Sequence, residues 1–496
     1  MGLAMDCGAG LSGLRLYKER VIKSRRQVGL NTARLYCGLR SPVSARIERM
    51  KKSILFALLF AAAPSSAQDL LQTLELALQR DSRLREAEAT RNAVLEARPQ
   101  SVARLLPTLS ITGELNRNSV LSKFKQTELV FIAGARNVGF WDSAASINLT
   151  QPIYHHEYWV QLSQADNQIA EAEANYAAEQ QNLMLRTARA YFDVLFAQDS
   201  REFALAEQRA IERQLEQAKA RFDVGLIAIT DVHEAQAGYD QARANVIQAE
   251  NQVDNAREAL QEIIGESGAA LARLVEEIPL KGPEPENIEE WSSLAQQSNL
   301  GVIAAENRSL VAKKGIDLQF AGHLPSMDLI GSAGFTDNNR PRGIPTEYQV
   351  IGMQVNVPMF AGGGVNSRVR QARYEYEAAQ ENLDGVRRAV KRQVKDAYRG
   401  ILSAISQVKA LQAAVVSSQS AVEASEAGLD VGTRTMVDVL TEQRNLFRAK
   451  RDYARARYDY IINSLALKQA AGALSPGDLA LVDQWLRLDA RPEAER

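Results

Sequence analysis

The sequence predicts a mainly α-helical chain with a smaller β part suited to an outer-membrane barrel, and three observations carry that expectation. Apolar residues recur at every seventh position along two long stretches, the second half of the chain echoes the first, and four short segments alternate apolar with polar residues. A seven-residue apolar period belongs to helices packed as in coiled coils. A period of two belongs to a strand with one apolar face.

The chain starts with a basic segment. Residues 1–49 hold ten Lys or Arg against three acids and follow neither period, so they read as a non-native or mis-started leader ahead of Met50. Lys51 and Lys52, the apolar run 54–63 and the small residues Ser65-Ser66-Ala67 then read as a signal peptide over 50–67, cut before Gln68. Ten apolar residues are too few for a membrane-spanning helix, which needs roughly 20. Subtracting the leader's +7 and the +2 of Lys51 and Lys52 from the chain's −1 leaves about −10 for the remainder, a poor charge for binding nucleic acid. The chain has two cysteines, Cys7 and Cys37, both ahead of Met50, so no disulfide framework and no thiolate metal site is expected after the cut.

After residue 67 the self-similarity is plain. Residues 222–232 read FDVGLIAITDV and residues 429–439 read LDVGTRTMVDV, a shift of 207 that matches Asp223 with Asp430, Gly225 with Gly432 and Asp231 with Asp438. The same shift places Ala190-Tyr191 on Ala397-Tyr398, while Leu106-Pro107 echoes Leu324-Pro325 upstream. We expect structural repeats over 68–265 (helix, two strands, long helix, return helix) and 287–472. A linker over 266–286 would join them, and a tail over 473–496 would pack with that linker at the waist of the long helices.

Leu162, Ile169, Tyr176, Leu183, Ala190, Ala197, Ala204, Ile211 and Ala218 stand seven apart and predict one helix of about 68 residues, roughly 100 Å long. Val369, Tyr376, Leu383, Val390, Ala397, Ala404 and Leu411 repeat the stripe. Gly225 and Gly432 end these helices, since glycine permits the left-handed backbone of a helix terminus. Helical patterning resumes over 231–264 and 287–321, and the two shorter helices are expected to stack end to end beside a long one.

Four segments have strand character. Leu109, Ile111, Gly113 and Leu115 alternate with polar neighbours, as do Ala145, Ile147, Leu149 and Gln151. Repeat two offers Met327, Leu329, Gly331, Ala333 and Phe335, then Ile351, Met353, Val355 and Val357. Loops are expected near 117–140 and 337–346. One apolar and one polar face suit a barrel with lipid outside and water inside, and four strands fall short of the eight or so at which known barrels begin, so several copies are needed to close one. A pair of soluble hairpins would show the same alternation.

Val357-Pro358-Met359-Phe360-Ala361-Gly362-Gly363 after a strand, Asp223-Val224-Gly225 with Thr230-Asp231-Val232, and the run from Val431 through Gly432, Thr433, Arg434, Thr435, Met436 and Val437 to Asp438 give the chain a further meaning. With the duplication, they make residues 68–472 resemble the TolC family of outer-membrane efflux and type I secretion channels. The resemblance implies a homotrimer in which twelve strands, four from each copy, form one outer-membrane barrel continuous with a periplasmic α-helical tunnel. It also implies partners, a periplasmic adaptor (membrane fusion) protein and an inner-membrane transporter of RND, ABC or MFS type, and a channel that is itself no enzyme and needs no cofactor. Family members close the tunnel by an iris of hydrogen bonds and ion pairs at the turns, here Thr230, Asp231, Arg434 and Asp438, beside the turn glycines Gly225 and Gly432.

A threefold ring of Asp438 would draw cations and raise the acids' pKa, whereas an acid near a helix start also stabilises that helix by itself. Both readings stand for Asp438 and for Asp231. The chain departs from the family pattern at Thr441, where a second acidic ring is expected, and at Leu429, where a gate tyrosine is expected, so a weaker cation filter and an altered latch follow. His155-His156, His233 and His323 lack metal-ligand spacing. Gly362-Gly363-Gly364 lacks the Lys-Ser/Thr of a phosphate loop and reads as a backbone turn. The remaining alternative is a periplasmic coiled-coil adaptor or structural protein without a barrel, which the helical stripes alone would also fit.

Overall fold

The computed structural model describes residues 68–124, 134–266, 270–339 and 344–487. The leader, the signal peptide, both cysteines, residues 125–133 and 340–343 of the expected loops, and the end of the tail lie outside them.

Repeat one runs through α1 (Leu70–Arg80), α2 (Ser82–Leu95), α3 (Ala97–Ala103), β1 (Thr108–Phe124), β2 (Gly134–Tyr154), α4 (His156–Asp223) and α5 (Ile229–Ile264). After the short β3 (Arg273–Leu274), repeat two supplies α6 (Ile288–Ser298), α7 (Leu300–Phe320), β4 (Ser326–Asn338), β5 (Thr346–Asn356), α8 (Gly364–Asp430) and α9 (Met436–Ala470). The described chain closes on α10 (Pro476–Asp483) and β6 (Leu486–Arg487). The turn glycines Gly362 and Gly363 have φ of 59° and 78° and lead directly into α8.

With 68 and 67 residues, α4 and α8 each reach about 100 Å at ~1.5 Å per residue. Part of the heptad stripe is buried: Leu183, Ala197, Ala204, Ile211 and Ala218 on α4, and Val369, Leu383, Val390 and Ala404 on α8. Alanine at so many of these positions lets helix axes approach closely. Helix α5 packs along α4 and α9 along α8, α4 also meets α9, and α7 lies against both α4 and α8.

The expected single helix over 287–321 is broken. Asn299 has an extended backbone, and its Oδ1 accepts from the N–H of Gly301 (3.0 Å) and Val302 (3.2 Å) while its Nδ2 donates to the Ala470 carbonyl (2.9 Å). Asp81 breaks repeat one at the matching place, accepting from the Leu84 N–H at 2.8 Å. Asn and Asp cap a helix start by satisfying N–H groups that have no carbonyl partner. Each side chain thus ends one helix and begins the next.

The main core lies at the middle of the long helices, where α1, α6 and α10 cover Leu183, Tyr191, Phe192 and Leu195 of α4 and Tyr458, Ile461 and Leu465 of α9. Irregular backbone crossing there needs polar partners, and tyrosines supply several of them. The buried Tyr191 hydroxyl stands 2.9 Å from the Ala272 carbonyl, and the Tyr460 hydroxyl accepts from the Lys281 N–H at 2.9 Å. The tail returns to the same region: β6 pairs with β3, and Asp483 accepts from the Leu70 N–H at 2.9 Å.

The four long strands form one antiparallel sheet in the order β1-β2-β4-β5. Its register aligns the faces: Leu109 pairs with Leu149, Leu149 with Gly331 and Gly331 with Ile351, while Ser110, Asn148, Ser332 and Val350 share the adjacent row. The apolar face is bare, with Ile111 77 % and Ile351 81 % exposed. Polar side chains on the other face bond one another, as between Thr112 and Ser146 at 2.8 Å. Much of the loop expected near 117–140 is instead strand, because β1 and β2 continue as a two-stranded ribbon in which Ser119 donates to Asn137 at 2.9 Å.

Helix α8 holds an 18-residue window of mean hydropathy 1.3, of which only 17 % is buried. That window belongs to a helix several bilayers long that packs on α9 and α7.

Candidate functional site

Both long helices end in the same turn. Gly225 and Gly432 each have φ of 76°, a left-handed backbone that glycine adopts without a Cβ penalty. The N–H groups of Gly225 and Leu226 donate back to the carbonyls of Phe222 (2.8 Å) and Arg221 (2.9 Å), and those of Gly432 and Thr433 to Leu429 (3.2 Å) and Gly428 (2.8 Å). This pairing satisfies the last carbonyls of a helix and reverses the chain. The hairpins α4–α5 and α8–α9 therefore end side by side.

Beneath the turns is a second core of Ile211, Leu215, Ala218, Ala235, Ala242, Met436 and Leu440, with Ile227, Val232, Tyr239 and Leu429 packed on it. Leu429 packs on this core as an apolar side chain.

Near the tip, two polar links among the described residues cross from one hairpin to the other. Glu426 on α8 accepts from Gln214 of α4 at 3.2 Å and from Gln443 of α9 at 3.0 Å. Nearer the turn, Arg221 on the last turn of α4 forms an ion pair with Asp430 on the last turn of α8. Further from the tip, Glu207 is buried on α4. Loss of solvent pushes its carboxyl above the ordinary range, partly offset by Arg451, Arg444 and Arg448 of α9.

The four side chains expected at the gate are at the tips, and they differ in what they do within one copy. Asp438 caps α9: its carboxylate accepts from the backbone N–H and the hydroxyl of Thr435, both at 2.9 Å, while its own N–H donates to Thr435 Oγ1 at 3.2 Å. The Thr435 N–H, then its hydroxyl, and more weakly Arg434 hold that carboxyl below the ordinary value within one copy. A helix-start role is thus present in each copy. Asp231 occupies the equivalent third position of α5, where Ala228 is the cap and offers no hydroxyl. Among the described residues, Thr230, Asp231 and Arg434 make no side-chain hydrogen bond or ion pair inside the protomer. The two turns are brought together, but Thr230 and Asp231 are not bonded to Arg434 or Asp438.

Sequence reasoning passed over Thr435, Gly428, the Glu426 link and the Arg221–Asp430 pair. Thr435-x-x-Asp438 is a capping-box spacing and was available as a signal. Gly428 has a steric role: a Cβ there would stand 2.6 Å from Cγ of Arg434. The cross-helix pairs needed coordinates, since their partners lie some two hundred positions apart in the chain.

Where the sheet meets α4, His155 is clamped. Its Nδ1 is 2.9 Å from Glu157 and its Nε2 3.0 Å from Asp328 of β4, with its ring stacked on Tyr158. Burial lowers its affinity for a proton, but hydrogen bonds to the two carboxylates outweigh this, and its pKa lies above the ordinary 6.5. Among the described residues no group of three or more His, Cys, Asp or Glu side chains is arranged to hold a metal ion.

Comparison with known proteins places this geometry. The TolC outer membrane protein of Vibrio cholerae is 39 % identical over 427 residues, covering 85 % of this chain and 94 % of that protein. The Escherichia coli TolC is 36 % identical over 435 residues, covering 85 % and 86 %. The alkaline protease secretion protein AprF of Pseudomonas aeruginosa is 28 % identical over 430 residues, covering 86 % and 89 %. Among solved structures, the outer membrane protein VceC of Vibrio cholerae superposes with a TM-score of 0.68 at 19 % identity, over 81 % of this chain and 96 % of that one. The CmeC outer membrane channel of Campylobacter jejuni gives 0.70 at 16 % identity, over 84 % and 89 %. These two likenesses establish the shared fold. The pattern of the outer membrane efflux protein family matches residues 73–266 and 291–473, both halves of the duplication, and the chain belongs to that family.

Proposed function

We propose that this protein is one of three identical subunits of a passive exit duct, a 12-stranded barrel in the outer membrane joined to a periplasmic helical tunnel, and that it serves efflux, type I secretion or both. The observation that carries this is the sheet. Its two faces differ in polarity over most rows, and among the described residues the outer edges of its end strands β1 and β5 have no partner strand. Buried sheet edges without partners are not tolerated in a bilayer, so β5 of one copy would pair with β1 of the next. The weakly buried apolar window of α8 supports lateral packing of the tunnel helices in the same way.

We take residues 68–265 and 287–472 as the two repeats, with the linker 266–286 and the tail packed at their waist. Thr230, Asp231 and Arg434 lack partners in one copy, which supports a role between copies at the threefold axis, where Asp438 would add its ring of charge. Docking of a periplasmic adaptor protein and an inner-membrane transporter would open this tip. The protein itself would contribute a path and no chemical step.

The alternative of a coiled-coil adaptor without a barrel has no use for a sheet with a bare apolar face. Fractionation tests the choice. The protein should sediment with the outer membrane, migrate as a heat-modifiable oligomer and conduct ions in a planar bilayer. Recovery of the folded protein from the soluble periplasm would overturn the reading.

A further inference from the structure

The apolar face of the sheet ends in a cation. Leu109, Ile111 and Leu115 of β1 share that face at a period of two and are exposed, and the next residue on it is Arg117. Its register partner on β2 is Trp141, 47 % exposed, and the Arg117 guanidinium carbon lies 5.7 Å from the ring centre of Trp141. A cation within about 6 Å of an aromatic face is attracted to it. Among the described residues Arg117 makes no ion pair and no hydrogen bond inside the protomer. The neighbouring acids Glu114 and Asp142 fall on the opposite face of the strands. We propose that Arg117 and Trp141 form a lipid-headgroup site at the outer rim of the barrel, and that its ligand is a phosphorylated glycolipid of the outer leaflet. The proposal rests on the barrel of the duct reading above.

Height along the strand fits that place. Arg117 lies nine residues beyond Thr108, the foot of β1. At ~3.4 Å per residue and a tilt of about 40°, it stands about 24 Å above that foot. The apolar band of an outer-membrane barrel is about 25 Å tall and is flanked by aromatic residues. Trp141 is therefore level with the headgroups, and Arg117 rests on it with its charge uncommitted.

The chemistry of the pair selects the ligand. A guanidinium presents paired N–H donors that match two oxygens of one phosphate. The exposed indole beside it offers an apolar platform for a sugar ring. Ser119 and Asn137, further out on the same face and 2.9 Å apart, add hydroxyl and amide groups. Net charge points the same way. Segments 117–141 and 337–347 hold six Lys or Arg against three acids, +3, in a chain whose part after residue 67 carries about −10. Basic outer ends on an acidic protein complement a surface of phosphates.

The test is native mass spectrometry of the delipidated full protein in mild detergent. It is titrated with bis-phosphorylated lipid A, with the same lipid stripped of both phosphates, and with phosphatidylglycerol. Wild type should bind the phosphorylated glycolipid about fivefold more tightly than the stripped form, the factor one cation contributes at an anionic membrane surface. Arg117→Ala should lose that difference, Arg117→Lys should keep most of it, and Trp141→Ala should weaken binding of both glycolipids. The oligomer mass in the same spectra reports folding. An Arg117→Ala variant that binds as wild type does, or a stripped lipid held as tightly as the phosphorylated one, would overturn the site. Phosphatidylglycerol held as tightly, with the same dependence on Arg117, would overturn the glycolipid as its ligand. An Arg117→Ala oligomer that falls apart would assign the cation to the seam between copies and overturn the site as well. A wild-type chain that leaves the membrane as a monomer would instead remove the barrel beneath it.

Discussion

At the scale of single residues, His155 and Asp438 show how local chemistry decides roles that spacing leaves open. His155 carries a pKa above 6.5, so its protonated contacts with Glu157 and Asp328 stabilise the fold fully below pH 6.5 and are lost as pH rises through the folded-state value. Thermal unfolding of the wild type against His155→Asn should therefore differ most at acid pH, with the gap narrowing above about pH 6.5. A gap that does not change with pH would contradict the clamp. The sequence showed that this histidine lacked ligand spacing, yet it could not show Asp328, which reaches it from a strand of the other repeat. For Asp438 the capping bond with Thr435 is visible in one copy, and the proposed ring would need three. Asp438→Ala should weaken cation selectivity and block by trivalent cations in bilayer recordings. Unchanged selectivity and block would leave Asp438 a helix cap alone.

At the scale of elements, the two long helices were legible because a heptad stripe is a repeated signal: every buried turn restates it, and the glycine at its end is required by a φ of 76°. The break at Asn299 was not. Apolar spacing continues through it, and what divides α6 from α7 is a contact with the end of α9, where Gly472 turns at φ 73°. A Cβ on Gly472 would lie 2.2 Å from the Ser298 carbonyl oxygen. Gly472→Ala should therefore destabilise the protein by at least about 1–2 kcal/mol, the penalty of a left-handed backbone for an L-residue, before the clash is relieved. Thermal melting of the purified protein checks this, and an unchanged melting temperature would show that α6, α7 and the end of α9 are not locked together there. Strand positions were readable from their alternation, whereas strand length was understated. The ribbon beyond the sheet is rich in Asn, Ser and Arg, residues that resemble loop until their cross-strand partners are known.

At the scale of the whole molecule, one subunit is incomplete by its own physics. Among the described residues its sheet has two unpaired edges and a bare apolar face, the apolar window of α8 is mostly uncovered, and its tip carries polar side chains without a partner inside the protomer. Each of these is a surface that a second copy of the same chain can satisfy, and a cyclic arrangement satisfies them all without leaving an edge. The duplication made this plan visible in the sequence, since it announced two hairpins and two strand pairs. The cross-repeat order of the strands and the polar links between hairpins needed the structure. The central claim is that three copies of four strands close one barrel, and the most direct test is native mass measurement of the protein extracted from the outer membrane in mild detergent. The account predicts a complex of three chains. A monomer, a dimer or a tetramer as the stable membrane form would contradict it.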